Sequence, residues 1–72
     1  MLVSETSKSR VLQTLLIMAT EEEQKLDLTL SCLVHEKDSE ISDQLVDEAT
    51  SIIRRKAALN YAITLLGGNP LP

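Results

Sequence analysis

Length, composition and charge exclude several classes of protein for this chain. Its 72 residues are 43% hydrophobic and 25% charged, which is typical of one folded domain and not of a disordered segment. The formal net charge of −4 argues against a nucleic-acid surface, because phosphate binding depends on clustered Lys and Arg.

A domain this short has a marginal core, and such domains usually gain stability from disulfides, a metal ion or another subunit. Cys32 is the only cysteine and His35 the only histidine, so we expect no disulfide within the chain, no metal site and no cofactor. Association with another chain is therefore the expected source of the missing stability. The lone cysteine, the lack of a long apolar run and a start unlike a signal peptide favour a cytoplasmic protein.

The first half of the chain predicts a helix over about residues 5–36. Neither Gly nor Pro occurs before Gly67, and apolar residues recur at helical spacing. This stripe consists of Leu12, Leu15, Ala19, Leu26, Leu30 and Leu33. Two alternatives stay open: a capping box from Thr20 to Glu23 would break the helix near Ala19-Thr20, and residues 26–32 alternate as a strand would.

A polar cluster then predicts a turn at about residues 37–39, with Asp38 or Ser39 capping a second helix over about residues 40–66. The expected seam of that helix is Ile41, Leu45, Ala49, Ile52, Leu59, Ile63 and Leu66, interrupted by Lys56. Residues 67–72 are expected to be an irregular tail, in which Gly67 or Gly68 ends the helix and Pro70 prevents its continuation.

The predicted fold class is therefore all-α, an antiparallel two-helix hairpin that is oligomeric. With the turn at residues 37–39, residues whose numbers add to about 76 lie side by side. The longest acidic run then faces the longest basic run. We expect inter-helix charge pairing among Glu21, Glu22, Glu23, Arg54, Arg55 and Lys56.

The apolar residues are distributed unevenly, and their excess lies away from the turn. Near the turn each helix is expected to have one apolar stripe and one polar, solvent-exposed face. At the other end we expect Leu16, Ile53, Tyr61 and Leu65 to form a second apolar face that docks on a helix of another chain. The predicted partner-binding residues are Val11, Leu12, Leu15, Leu16, Met18, Ile53, Ala57, Tyr61 and Leu65. The alternatives are that residues 1–3 cover this face or that two copies bury it in a homodimer.

Signals for catalysis are weak, and we expect no enzyme. His35, Glu36 and Asp38 offer a base and carboxylates, but no nucleophile in a fixed pocket and no phosphate-binding loop accompany them. Cys32 lies in a leucine-rich segment and is expected to be buried and inert.

The second helix resembles a known family in two stretches, Asp47-Glu48-Ala49-Thr50-Ser51-Ile52-Ile53 and Ala58-Leu59-Asn60-Tyr61-Ala62-Ile63. This Ala/Ile-rich final helix bearing a tyrosine is similar to that of the small co-chaperone subunits of type III secretion systems. The resemblance implies a soluble helical hairpin that pairs with a larger helical-repeat chaperone and helps to hold the needle subunit unpolymerised. The Gly67-to-Pro72 tail departs from that pattern.

The function expected from the sequence is thus that of a small chaperone or adaptor that shields an apolar helix of a partner. A self-associating structural or regulatory hairpin, such as a phage-type inhibitor, is the alternative. An RNA-binding hairpin dimer is the third hypothesis.

Overall fold

Two helices make up almost all of the described chain in the computed structural model, which covers residues 5–71. Helix α1 spans Glu5–His35 and helix α2 spans Ser39–Leu65. They pack side by side as an antiparallel hairpin that measures 52 × 17 × 15 Å. The prediction of two packed helices joined by a short turn is confirmed, and the helix ends agree with it to within one residue.

Helix α1 is continuous through its middle. The Thr20 hydroxyl does not cap a new helix; it donates a hydrogen bond of 2.8 Å to the Leu16 carbonyl oxygen of the preceding turn. Residues 26–32 are also helical. The predicted alternatives of a break near Ala19-Thr20 and of a strand are therefore both wrong, because a hydroxyl satisfied within the helix leaves no capping interaction to interrupt it.

The turn is closed by two carboxylates that accept hydrogen bonds from its own backbone. Glu36 Oε1 accepts from the amides of Lys37 and Asp38, both at 3.0 Å. Asp38 Oδ1 accepts from the amides of Glu40 at 2.9 Å and Ile41 at 3.2 Å, which is the N-cap expected for α2. The first free amides of α2 are thereby satisfied.

Helix α2 ends in a Schellman motif built on its two glycines. The Gly68 amide donates to the Ile63 carbonyl at 2.9 Å, and the Gly67 amide donates to the Thr64 carbonyl at 3.0 Å. Gly67 has a φ of +82°, the left-handed conformation that glycine adopts without steric cost. Of the two residues proposed to end the helix, Gly67 is the one in the left-handed position.

The seam between the helices follows alternating spacings of three and four residues, as in a coiled coil. The buried and half-buried seam positions of α1 are Leu12, Leu15, Ala19, Glu22, Leu26, Thr29 and Leu33, continued by Glu36 just beyond its end. Those of α2 are Ser42, Leu45, Ala49, Ile52, Lys56, Leu59 and Ile63, continued by Leu66 just beyond its end.

The core along this seam is thin. Its most buried side chains are Ala19 and Ile63 at 0% exposure, Ile52 at 1%, Ala49 at 6% and Thr29 at 7%.

Two residues predicted to lie in the seam do not. Leu30 is 41% exposed and Ile41 is 44% exposed. Thr29 occupies the α1 seam position in place of Leu30. The spacing from Glu22 to Leu26 is already four residues, so the alternation requires a spacing of three next, which leads to Thr29.

Two ion pairs connect the helices in the predicted register. Arg55 Nε lies 3.1 Å from Glu22 Oε2, and Lys56 Nζ lies 3.7 Å from Glu23 Oε1. These pairs join residues whose numbers add to 77 and 79, close to the expected register. Of the six residues expected to pair, Glu21 and Arg54 are exposed and form no ion pair within residues 5–71.

Candidate protein-binding surface

A large share of the apolar side chains lies outside the seam. Among residues 5–71, four apolar residues are buried, whereas eleven large ones are between 41% and 77% exposed. The exposed set is Val11, Ile17, Met18, Leu28, Leu30, Val34, Ile41, Val46, Ile53, Tyr61 and Leu65. Two helices have only one shared side in which to bury such residues, so the rest remain available to another molecule.

Heptad spacing divides most of these side chains between the two sides of the seam. One side, which we call the Ile53 flank, carries Leu16, Leu30, Val34, Val46, Ile53 and Ala57. The opposite side, which we call the Leu65 flank, carries Val11, Met18, Leu28, Ile41, Ala58 and Leu65. Ile17 and Tyr61 lie on the outer faces of α1 and α2, farthest from the seam.

Each flank has a shallow, open groove between the helices. The groove on the Ile53 flank has a volume of about 300 Å³ and is lined by Leu26, Ile53, Lys56, Ala57 and Asn60. The groove on the Leu65 flank has a volume of about 260 Å³ and is lined by Met18, Glu22, Arg55, Ala58 and Leu59. The grooves share no residue, so the hairpin presents two separate surfaces.

The nine predicted partner-binding residues do not form one face. Leu12 and Leu15 are half-buried in the seam. The Leu65 flank contains Val11, Met18 and Leu65. The Ile53 flank contains Ile53 and Ala57, with Leu16 at its margin. Tyr61 lies on the outer face of α2.

The prediction of a single second face containing Ile53, Tyr61 and Leu65 is therefore wrong. The reason is the helical period: residues 53 and 65 are separated by about 120° around the helix axis. Ile53 and Leu65 are nonetheless 52% and 68% exposed, so each remains available on its own flank.

Exposed apolar surface also extends to the turn, where each helix was expected to have a polar, solvent-exposed face. Leu28 is 69% exposed, Val34 77% and Val46 46%. The prediction failed because these residues stand next to seam positions, and a count of apolar residues does not separate the seam from its neighbours. The alternative that residues 1–3 cover the apolar surface concerns residues outside the described range.

The C-terminal tail folds back and bounds the Ile53 flank. The Asn60 side chain, which lines the groove of this flank, donates from Nδ2 to the Leu71 carbonyl at 3.0 Å and accepts from the Leu71 amide at 3.3 Å. Gly68 lies so close to the seam that a Cβ there would be 2.7 Å from Leu12 Cδ2. Sequence reasoning missed this role of the tail, since no local pattern connects Asn60 with Leu71.

The surface carries little that resembles a catalytic or metal site. Cys32 is exposed, so the expectation that it is buried is wrong; it stands beside the seam on the Leu65 flank. Within residues 5–71 no cluster of three or more His, Cys, Asp or Glu side chains could hold a metal ion. Over the same residues, neither helix has the combination of length and apolarity needed to cross a bilayer.

Comparisons with known proteins add no relative. No protein-family model, curated protein or solved structure matches the chain significantly.

Proposed function

We propose that this chain is a non-enzymatic protein-binding module, a small cytoplasmic chaperone or adaptor that shields an apolar helix of a partner. The observation that carries the proposal is the exposed apolar surface on both flanks of a single two-helix seam. Ile53 at 52% and Leu65 at 68% exposure represent the two flanks. Contiguous apolar surface of this kind marks interaction sites in small proteins.

A helix laid along either flank would convert the two-helix seam into a helical bundle. Each groove offers apolar side chains from α2 and one apolar neighbour from α1, such as Ile53 with Leu26 or Leu59 with Met18. A partner helix recognises such a groove by side chains spaced three, four and seven residues apart. Burying the exposed half of a side chain such as Ile53 contributes about 1 kcal/mol.

The resemblance to type III secretion co-chaperones gives the proposal a concrete setting. In that setting the partner is a larger helical-repeat chaperone, and the complex holds a secreted needle subunit unpolymerised. The two-helix hairpin agrees with the fold that this setting requires.

Identification and reconstitution of the partner test the proposed function. The tagged full chain is isolated with chemical cross-linking from the cells that encode it, and a stoichiometric partner is then purified and mixed with it. Affinity is measured for the unmodified chain, Ile53→Glu, Leu65→Glu and the control Ser31→Glu, which changes an exposed polar residue. Circular dichroism checks that each variant keeps its helical content.

We expect Ile53→Glu or Leu65→Glu to weaken the complex by about tenfold or more, equivalent to about 1.4 kcal/mol, and Ser31→Glu to leave it unchanged. A homodimer that either substitution dissociates would support the self-associating alternative instead. The proposal is wrong if the chain is a stable monomer and no partner depends on either flank.

A further inference from the structure

The Ile53 flank has an apolar centre that runs along both helices. Leu30 on α1 is 41% exposed, and Val46 and Ile53 on α2 are 46% and 52% exposed. All three adjoin the seam on the same side, and Val34 and Ala57 widen the stripe. The centre of this flank therefore offers apolar side chains against which the apolar face of another helix could pack.

The borders of the same flank are acidic. Asp27 stands on its α1 edge and Asp43 on its α2 edge, whereas Glu23 adjoins the seam one heptad before Leu30. Asp27 and Asp43 are exposed and form no ion pair within the described part of the chain. Lys56 is the one basic side chain in the groove lining; it is only 15% exposed and its Nζ lies 3.7 Å from Glu23 Oε1. Negative charge thus predominates at the exposed rim.

The Leu65 flank carries charges of both signs, since the exposed Glu48 lies on it one heptad after Ile41. Lys25 Nζ lies 3.6 Å from Glu22 Oε1, and Arg55 Nε lies 3.1 Å from Glu22 Oε2. Two basic side chains that are 58% and 52% exposed therefore stand in the middle of that flank. Within residues 5–71, only the Ile53 flank has an exposed carboxylate without an ion pair on each of its two borders.

The tail and the turn limit the length of the Ile53 flank that a bound helix could occupy. The tail closes one end, where Asn60 holds Leu71, and the turn closes the other. Between them α2 offers about 28 Å, the length of a helix of about 18 residues.

We infer that the Ile53 flank binds an amphipathic helix of a partner whose apolar stripe is bordered on both sides by Lys and Arg. This inference rests on the proposed function and names the chemistry of the partner. Basic side chains of the bound helix pair with Asp27 on one border and Asp43 on the other. A second copy of this chain fits less well, because within residues 5–71 the borders of its own Ile53 flank carry no Lys or Arg that could pair with these carboxylates.

Synthetic helices serve as the probe. A labelled peptide of about 18 residues carries a Leu/Ile stripe with Lys at its borders. One comparison peptide has Glu in place of Lys at the borders. The other keeps the Lys residues but has a scrambled sequence without the apolar stripe. Fluorescence anisotropy with the full chain gives affinities, and amide chemical shifts locate the binding surface. Variants are Ile53→Glu, the double variant Asp27→Asn with Asp43→Asn, and the control Leu65→Glu.

We expect the Lys-bordered peptide to bind about tenfold more tightly than either comparison peptide, and to weaken several-fold when salt rises from about 50 to 300 mM. Ile53→Glu abolishes binding, the double Asn variant weakens it about fivefold, and Leu65→Glu leaves it unchanged. Equal affinity for the Glu-bordered peptide, shifts confined to the Leu65 flank, or a homodimer that Ile53→Glu dissociates would each overturn the inference.

The reconstituted partner separates this inference from the proposed function. If that complex depends on Leu65 and not on Ile53, the inference fails and the proposed function stands. If it depends on neither residue, the proposed function fails as well.

Discussion

Asn60 and Leu71 are joined by two reciprocal hydrogen bonds, so that one side-chain amide satisfies both backbone groups of a tail residue. Nδ2 donates to the Leu71 carbonyl at 3.0 Å, and Oδ1 accepts from the Leu71 amide at 3.3 Å. Both bonds are partly buried. They hold the tail against α2 more than one helical turn before the helix ends.

Replacing Asn60 with Ala is expected to release the tail and leave the hairpin folded. Loss of two partly buried hydrogen bonds costs about 1 kcal/mol each at most, and a terminal segment absorbs part of that loss by fraying. Hydrogen exchange is expected to show loss of protection at the Leu71 amide, and urea denaturation a fall of about 1 kcal/mol or less in the free energy of unfolding. Exposed Asn69→Ala is the control. Unchanged protection at Leu71 in the Asn60→Ala variant would contradict this role.

The two glycines of the tail are expected to resist substitution for different reasons. Gly67→Ala strains a backbone with φ of +82° and is expected to cost about 1 kcal/mol. Gly68→Ala places a Cβ 2.7 Å from Leu12 Cδ2 and 2.9 Å from Ile63 Cγ2. Ile63 is fully buried, so relief requires the tail to move, and we expect a loss of about 1 to 3 kcal/mol.

Urea denaturation of both variants measures the predicted losses in the free energy of unfolding. Hydrogen exchange at the Leu71 amide distinguishes the two causes. Displacement of the tail is expected in Gly68→Ala, with loss of protection at Leu71. Retained protection together with unchanged stability would show that Gly68 does not pack against the seam as described.

The helices could be predicted from the sequence because their signals are local. An uninterrupted stretch without Gly or Pro, an aspartate at position 38 and a glycine at position 67 each act on neighbouring residues only. The register was also predictable, since the turn and the charge runs agree.

The surface was harder to predict because it depends on the phase of the seam. Leu30 and Ile53 are as hydrophobic as Leu33 and Ile52, and only the three-and-four spacing separates exposed from buried positions. The tail was unpredictable for another reason. Its contact with Asn60 joins a side chain to a backbone eleven residues away and leaves no periodic signal.

Two charged residues in the middle of the seam are expected to lower the stability of the hairpin and to keep its helices paired with each other. Glu22 and Lys56 occupy seam positions, with side chains 13% and 15% exposed. Replacing both with Leu is expected to raise the free energy of unfolding by about 1 to 3 kcal/mol, because apolar packing replaces charges that are costly to desolvate.

The same change is expected to increase self-association, since polar seam residues restrict which helices pair. Urea denaturation and sedimentation equilibrium measure the two effects, with Glu48→Leu as a control at an exposed position. A double variant that is less stable than the parent chain would contradict the prediction.

Ile52 and Ile53 are adjacent in sequence, but substitution with Ala is expected to lower the stability of the chain strongly at Ile52 and very little at Ile53. Ile52 is 1% exposed in the seam, and Ile53 is 52% exposed on its flank. Ile52→Ala removes core contacts and leaves a cavity, for which we expect a loss of about 2 to 5 kcal/mol, enough to unfold a domain of this size. Ile53→Ala is expected to change the free energy of unfolding by about 0.5 kcal/mol or less. Thermal and urea denaturation of the isolated chain test the pair. Equal destabilisation by both would mean that Ile53 is buried within the protomer, which would remove the surface on which the proposed function depends.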